Sequence, residues 1–463
     1  MQRSFCRGTS KFALIARKRS PSRQTTLLRS VRPREVTSMM RNVKYRANYE
    51  SVAKLSQQIQ KECTELNLTN VSSEELLRLS KEAKLNFTDY TYIRKFQCAL
   101  MAILSSVQRT EIANTEGIPV LDMIVEDYFN PIQKFGRESA NGAAYKVGWE
   151  GVEEWISVMK IAKGSAKEDA DLFHELAVGL ALNKLRAEVP YFMYVWGGFY
   201  CERPKKTQLS CHSEDKDKIT TLALFELIYG KELDEWMKSG EMTPNECIEV
   251  VLQVAYAIYL AQKNFKFMHF DLHGGNVLVR KLPQKVTFEL KLTNGDIIKI
   301  KTKFIPQLID YGMSSMLIDQ KFVTSKFYDA VKTPKNVMQL QGSRRDYFYS
   351  LYDIWRYVSF EIGEFHIKKV SNFDKLWRTL ITPFFEMAKE AFTPEQLQQP
   401  QTGLQECFAQ ANMKKAIDLI LTNPVSRDLE FEDIPFIEMS VETYIRKLIG
   451  VFSLENEKKP TVK

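Results

Sequence analysis

Two of the five histidines in this chain fall inside one octet, His269-Phe270-Asp271-Leu272-His273-Gly274-Gly275-Asn276, which runs into the apolar stretch Val277-Leu278-Val279. A second apolar run, Leu308-Ile309, ends in Asp310-Tyr311-Gly312. Two carboxylates and an amide, two in the octet before one apolar run and one after the next, constrain the fold more than composition does. They can work together only if the chain brings both segments to one opening.

The order of elements narrows the choice further. From Tyr49 to about Ile118 the pattern is helical: Val52, Leu55 and Ile59 recur at three- to four-residue spacing, and Ser72-Ser73-Glu74-Glu75 opens another amphipathic run through Leu76 and Leu79. From Phe135 to Ile161 glycines and β-formers predict a hairpin around Ala144-Tyr145-Lys146-Val147 and a third strand, Trp155 to Lys160. A helix is expected from Glu168 to Arg186 and a short strand from Thr221 to Ile228. Helices follow from Glu246 to Lys263, from Arg345 to Ile362, and through Asn372 to Phe452, with Glu395 to Thr402 as a loop. Strands first and helices afterwards predict an α+β fold of two unlike lobes with a cleft between them.

At 463 residues, with 44% apolar and 26% charged residues, the chain has the composition of a packed globular protein. The longest apolar stretch, Ile248 to Ala261, is broken by Glu249 and Gln253. It is shorter than the roughly 18 to 20 residues that cross a bilayer, so no membrane span is expected. Seven cysteines, odd in number and never in a C-x-x-C pair, argue against a disulfide framework and predict an intracellular, reducing compartment. Cys211-His212 lacks the second pair that a zinc site needs.

The charge is uneven. Residues 1–50 hold thirteen Lys and Arg against Glu35 and Glu50, or +11 in a chain whose total is +8, so residues 51–463 sum to −3. Residues 1–48, rich in Arg, Ser and Pro, are therefore expected to be a disordered basic arm. A nucleic-acid or anionic-surface contact, a nuclear import signal, an organellar presequence and a plain solvated tail all fit that composition.

The octet and Asp310-Tyr311-Gly312 resemble the protein kinase superfamily, in which H-x-D-L-x-x-x-N forms the catalytic loop and D-F-G the metal-binding segment. The resemblance covers about Asp127 to Ile362. It implies a bilobal fold, with residues 49–120 as a helical extension, 121–230 as the smaller lobe, 231–455 as the larger one and 456–463 as a tail. It implies ATP and Mg2+ as well, with Asp271 as the base and Asn276 and Asp310 as metal ligands, since phosphoryl transfer needs a carboxylate for the attacking hydroxyl and hard oxygens for magnesium.

The same resemblance assigns the upstream parts. Lys160 ends a Val158-Met159-Lys160 strand as the phosphate-anchoring lysine, with Lys163 as its competitor, and Glu175 lies fifteen residues on as its partner. Gly136, Ser139 and Gly142 stand where a glycine loop would cover phosphates, although the outer glycines are one residue too far apart and an ordinary hairpin turn also fits. Phe225 would stand behind the adenine ring, or be plain core, and the backbones of Glu226 and Ile228 would bond the base.

His273 replaces the usual lysine, a form similar to haspin-type kinases, atypical kinases of large DNA viruses and small-molecule phosphotransferases of the aminoglycoside and choline type. Alternating Val286, Phe288, Leu290 and Leu292, then Asn294-Gly295, then Ile298 and Ile300 predict a β-hairpin insert over 285–304 with a two-residue turn. Haspin-type kinases carry strands at this place. No A-P-E triplet follows Asp310, Phe270 replaces the usual arginine, and Asp353 matches the aspartate that braces the loop. The activity implied is a serine/threonine protein kinase acting on a protein substrate and independent of activation-loop phosphorylation. A small-molecule kinase, and a pseudokinase scaffold working through the basic arm, are the alternatives.

Overall fold

The structure, a computed structural model, describes residues 43–66, 68, 71–106, 125–130, 132–135, 142–150, 154–162, 166–202, 219–324 and 440–457, with single positions between 353 and 387. It is an α+β arrangement of helices and antiparallel sheets. Among the described residues no helix is long and apolar enough to cross a membrane.

Three helices come first: α1 (Val43–Glu65), α2 (Ser73–Leu85) and α3 (Tyr90–Ser106). The expected spacing is realised, with Tyr49, Val52 and Leu55 of α1 buried. α2 starts where Ser72 accepts the amide of Glu75 at 3.2 Å, and Glu74 and Glu75 place negative charge at the helix's positive end. Helix α1 begins at Val43, inside the stretch assigned to the arm, so that boundary moves; the rest of the arm lies outside the described residues.

The absence of disulfides expected from the cysteine pattern is overturned. Packing of α1 against α3 brings Cys63 and Cys98 to a Cα–Cα distance of 5.0 Å, and they form a disulfide. Cys201 is disulfide-bonded as well. With those bonds, the premise that pointed to a reducing compartment falls away.

A five-stranded antiparallel sheet follows, in the order β1-β2-β3-β5-β4, from β1 (Ile132–Phe135), β2 (Gly142–Gly148), β3 (Trp155–Ala162), β4 (Val195–Glu202) and β5 (Ile219–Glu226). Strand β4 has no counterpart in the sequence reading. Between β3 and β4, α4 (Ala166–Leu182) packs on the sheet through Leu172, Phe173, Leu176 and Leu180. Burial of each such side chain contributes roughly 2 kcal/mol. At Gly179 a Cβ would meet Val195 Cγ2 at 2.2 Å, so helix and strand approach as closely as only glycine allows.

Beyond β5, a short strand β6 (Lys231–Glu232) leads into α5 (Leu233–Lys238) and α6 (Pro244–Phe265). Thr243 and Glu246 close a capping box at the start of α6 with Pro244 in the first turn, and Lys266 ends it at a φ of 51°. α6 is apolar on nearly every side from Cys247 to Ala261, as befits a helix surrounded by protein.

Strands β7 (Val277–Lys291) and β8 (Ile297–Leu308) form a sheet with β6. The hairpin expected as an insert over 285–304 is the far half of this ladder, which pairs from Val277 with Leu308 out to Lys291 with Ile297. A bulge between Lys281 and Val286 contains Pro283, which cannot donate to a ladder. The turn is one residue longer than expected. Leu292 donates to Asp296, and Gly295 takes a φ of 87°, a three-residue loop ending in a left-handed glycine.

After Asp310, β9 (Ser315–Ile318) and β10 (Lys321–Thr324) make a tight hairpin. Helix α7 (Val441–Glu457) packs Tyr444, Ile445 and Leu448 into the core, and its Tyr444 hydroxyl donates to the Leu380 carbonyl at 3.1 Å. α7 also holds the β7–β8 turn: Arg446 pairs with Asp296 at 2.5 Å, and Thr293 donates to Glu442 at 2.6 Å.

Candidate active site

Lys160 lies on the less buried face of β3, the one that carries Val158, while Ser157, Met159 and Ile161 face the core. The lysine therefore points to an opening rather than inward. Its Nζ donates to Glu175 Oε1 at 2.5 Å and stands 3.7 Å from Asp310 Oδ1. The Phe225 ring lies 5.1 Å from the same ammonium. Burial pulls the Lys160 ammonium down, but Glu175 and Asp310 outweigh it and raise it above the ordinary lysine value. Lys160 in turn holds the Asp310 carboxyl below the usual range against the opposing effect of burial. For Glu175, burial wins over Lys160 and the carboxyl is raised. Lys163 lies outside the described residues.

The octet is held from several directions. Met268 and Ser315 exchange backbone hydrogen bonds at 2.8 and 2.9 Å, joining the residue before the octet to β9. The Asp353 carboxylate, expected as a brace, accepts the amides of His269 at 2.7 Å and Phe270 at 2.8 Å. His269 Nε2 is 3.0 Å from the Ile309 carbonyl, and because a carbonyl only accepts, that nitrogen carries the hydrogen. Asn276 Nδ2 donates to the Asp271 carbonyl at 2.8 Å, and the Asn276 carbonyl accepts the Ile309 amide at 3.0 Å. One asparagine thus ties the loop bearing Asp271 to the residue before Asp310.

His273 Nδ1 accepts the amide of Gly275 at 3.1 Å, and its Nε2 lies 3.9 Å from Asp271 Oδ2. The Gly275 bond uses the ring's lone pair, so this geometry belongs to a neutral imidazole with its hydrogen on the nitrogen near Asp271. Asp310 adopts a φ of 61°, and its carboxyl is 54% exposed at the opening. Tyr311 is fully buried; its hydroxyl donates to the Leu308 carbonyl at 2.8 Å and also lies 3.3 Å from that of Met193.

Phe225 is fully buried on β5. The Glu226 amide donates to the Tyr194 carbonyl, and its side chain turns into a polar cluster that the sequence reading missed. Arg280 on β7 lies 3.0 Å from Glu226 Oε1, Arg186 lies 3.4 Å from Oε2, and Gln307 donates at 3.1 Å. Arg280 also covers the Phe87 ring at 3.8 Å, and Arg186 donates to the Phe87 carbonyl at 2.9 Å, which ties the loop between α2 and α3 to the end of β5. Arg280 at the end of the apolar run Val277 to Val279 was the signal available. Ile228 is half-buried beyond β5, and Gly142 pairs with Ala162 at the start of β2. Gly136 and Ser139 lie outside the described residues.

The donor set suits a hard cation. With Asn276 Nδ2 committed as a donor, its Oδ1 is the amide atom left for a metal, and the half-exposed Asp310 carboxylate is the second candidate ligand. Among the described residues no cluster of three or more His, Cys, Asp and Glu could hold a metal alone. One carboxylate and one amide oxygen match magnesium, which completes its shell with water and substrate phosphate.

No family model matches the chain. A probable kinase of Invertebrate iridescent virus 3 is 25% identical over 189 residues, covering 41% of this chain and 32% of the viral protein. A probable serine/threonine-protein kinase of Dictyostelium discoideum is 33% identical over 91 residues, 19% of this chain and 7% of that protein. An uncharacterized protein of Caenorhabditis elegans is 27% identical over 219 residues, 46% of this chain and 69% of the nematode protein. The chain therefore has distant kinase-named relatives and a kinase-like relationship, and it spans about a third of the viral one.

Proposed function

We propose that this chain is an ATP-dependent phosphotransferase of bilobal, protein-kinase-like architecture, acting on serine or threonine in a protein and similar to the haspin-like and large-DNA-virus kinases. The observation that carries the reading is the shared neighbourhood of five groups: Lys160 touching Glu175 and facing Asp310, with Asn276 bonded to both the Asp271 and Ile309 backbones. The match to the Dictyostelium protein supports serine or threonine as the acceptor.

In this reading Lys160, held by Glu175, binds the phosphates next to the leaving group. Phe225 closes the back of the base pocket, and the backbones of Glu226 and Ile228 bond the adenine. Asp271 orients the acceptor hydroxyl and takes its proton as the new O–P bond forms and the bond to the ADP oxygen breaks. The His273 Nε2–H faces the same carboxylate and steadies it. Asn276 and Asp310 would hold Mg2+, which when bound neutralises the triphosphate charge.

The test is transfer from radiolabelled ATP with magnesium to basic proteins and to small aminoalcohols and aminoglycosides. Asp271→Ala should lose about a hundred- to ten-thousandfold in rate while nucleotide binding persists. Label on protein serine or threonine supports the reading. Label only on small molecules moves the chain to the small-molecule kinases, and equal incorporation by wild type and Asp310→Ala rejects the metal assignment.

A further inference from the structure

Helix α4 presents two successive side chains at the site. Glu175 meets Lys160, and His174, only 2% exposed, places its Nε2 2.7 Å from the Ser314 carbonyl. A carbonyl only accepts, so this imidazole also donates from Nε2. At the other end of the same segment His269 donates to the Ile309 carbonyl at 3.0 Å. The stretch 309–314, which contains Asp310, is thus gripped by an imidazole at each end. His269 belongs to the octet, whereas His174 belongs to the helix that carries Glu175.

Helix α1 reinforces the same junction. The Tyr49 ring lies 4.2 Å from that of Phe173, the residue before His174. Glu50 pairs with Lys321, and Lys54 pairs with Asp319 at 2.8 Å, so α1 also holds the β9–β10 hairpin that follows Ser314.

We propose that His174 is a positioning residue that sets the register between α4 and the Asp310 segment, so that Lys160 meets Glu175 and Asp310 together. The inference rests on the phosphotransferase reading for its kinetic consequence but not for its structural one. Asp310 is held at a φ of 61°, a conformation that a non-glycine residue leaves readily once its surroundings loosen. Removing the donor would leave the Ser314 carbonyl buried without it.

The experiment compares the full chain with His174→Leu and His174→Gln, whose amide restores a donor of similar reach. Amide hydrogen exchange is read on the nucleotide-free proteins, and KM for ATP and kcat are read in the magnesium transfer assay. Expected for His174→Leu are faster exchange at Tyr311 to Ser315 and around Glu175, unchanged exchange in α6 and the far end of β7–β8, and a rise in KM of about tenfold that exceeds any loss in kcat. His174→Gln should return both readouts toward wild type. Unchanged local exchange in His174→Leu, or a glutamine variant as defective as the leucine one, overturns the inference. Should His174→Leu fail to fold, His174→Gln decides alone: wild-type exchange supports the donor role and faster exchange at Tyr311 to Ser315 rejects it. A wild type that transfers no phosphate sinks the functional reading, and the exchange comparison still decides the role of His174.

Discussion

The Asp353 carboxylate accepts the backbone amide of Phe270 at 2.8 Å, and Phe270 sits there at a φ of 61°. A left-handed conformation in a bulky residue is strained, and a buried carboxylate bonded to two successive amides is what keeps it. Asp353→Ala should therefore lower stability by about 3 kcal/mol, while Asp353→Asn, which keeps one acceptor oxygen, should cost roughly half of that. Urea unfolding of both variants checks the order.

Gly179 marks the closest approach between α4 and β4. An added methyl meets Val195 Cγ2 at 2.2 Å and Tyr311 Cδ2 at 3.4 Å, and the valine has no flexible end to withdraw. Gly179→Ala is expected to destabilise by about 1–3 kcal/mol despite alanine's better helix propensity. Calorimetry showing an unchanged or raised Tm would refute the packing described.

Glu226 faces two buried guanidinium groups. Burial pushes Arg280 down, and Glu226 is the main group opposing that. Glu226→Gln alone should cost about 3–5 kcal/mol because it leaves positive charge buried without its counterion. Adding Arg280→Met should recover part of that loss, and a double-mutant cycle with no coupling would contradict the observed 3.0 Å pair.

The Lys160–Asp310 contact has a defined pH window. The depressed Asp310 carboxyl contributes stability above the ordinary carboxylate range and loses it as pH falls through its lowered value. The raised Lys160 ammonium contributes below the ordinary lysine value and loses it as pH rises through its own. Neither group changes charge between about pH 6 and about 9. The ratio of nucleotide affinities of wild type and Lys160→Arg, measured with a fluorescent analogue, should stay constant across that window.

The Cys63–Cys98 bond closes a loop of 35 residues. Constraint of the unfolded chain by such a loop is worth about 3–4 kcal/mol. Cys63→Ser with Cys98→Ser should lower Tm, and reductant should lower it further in wild type than in the double variant, which keeps only the Cys201 bond to lose.

The candidate site groups were legible because the proposed phosphoryl transfer requires particular residue types at short spacings. Asn276 donates to the Asp271 carbonyl and accepts the amide of Ile309, the residue before Asp310, and Lys160 and Glu175 meet as their order suggested. What the sequence hid depends on distant partners. Strand β4 carries Gly197 and Gly198 and is buried among other elements, so it shows no alternation. Arg280 and Glu226 lie 54 residues apart, and nothing local marks either as half of a pair. The cysteines were misread because their pairing depends on two helices packing side by side. The hairpin was recognised, but its continuity with Val277 to Lys281 was not, since the bulge at Pro283 interrupts the alternation that would have revealed it.

The clasp between α7 and the β7–β8 turn has a consequence for biogenesis. Arg446 and Glu442 reach back about 150 positions to Asp296 and Thr293, and the Tyr444 ring lies tilted against that of Phe384 with centroids 4.6 Å apart. These contacts can form only after residues 442–446 have been synthesised, so the β7–β8 turn gains its clasp about 150 positions after it leaves the ribosome.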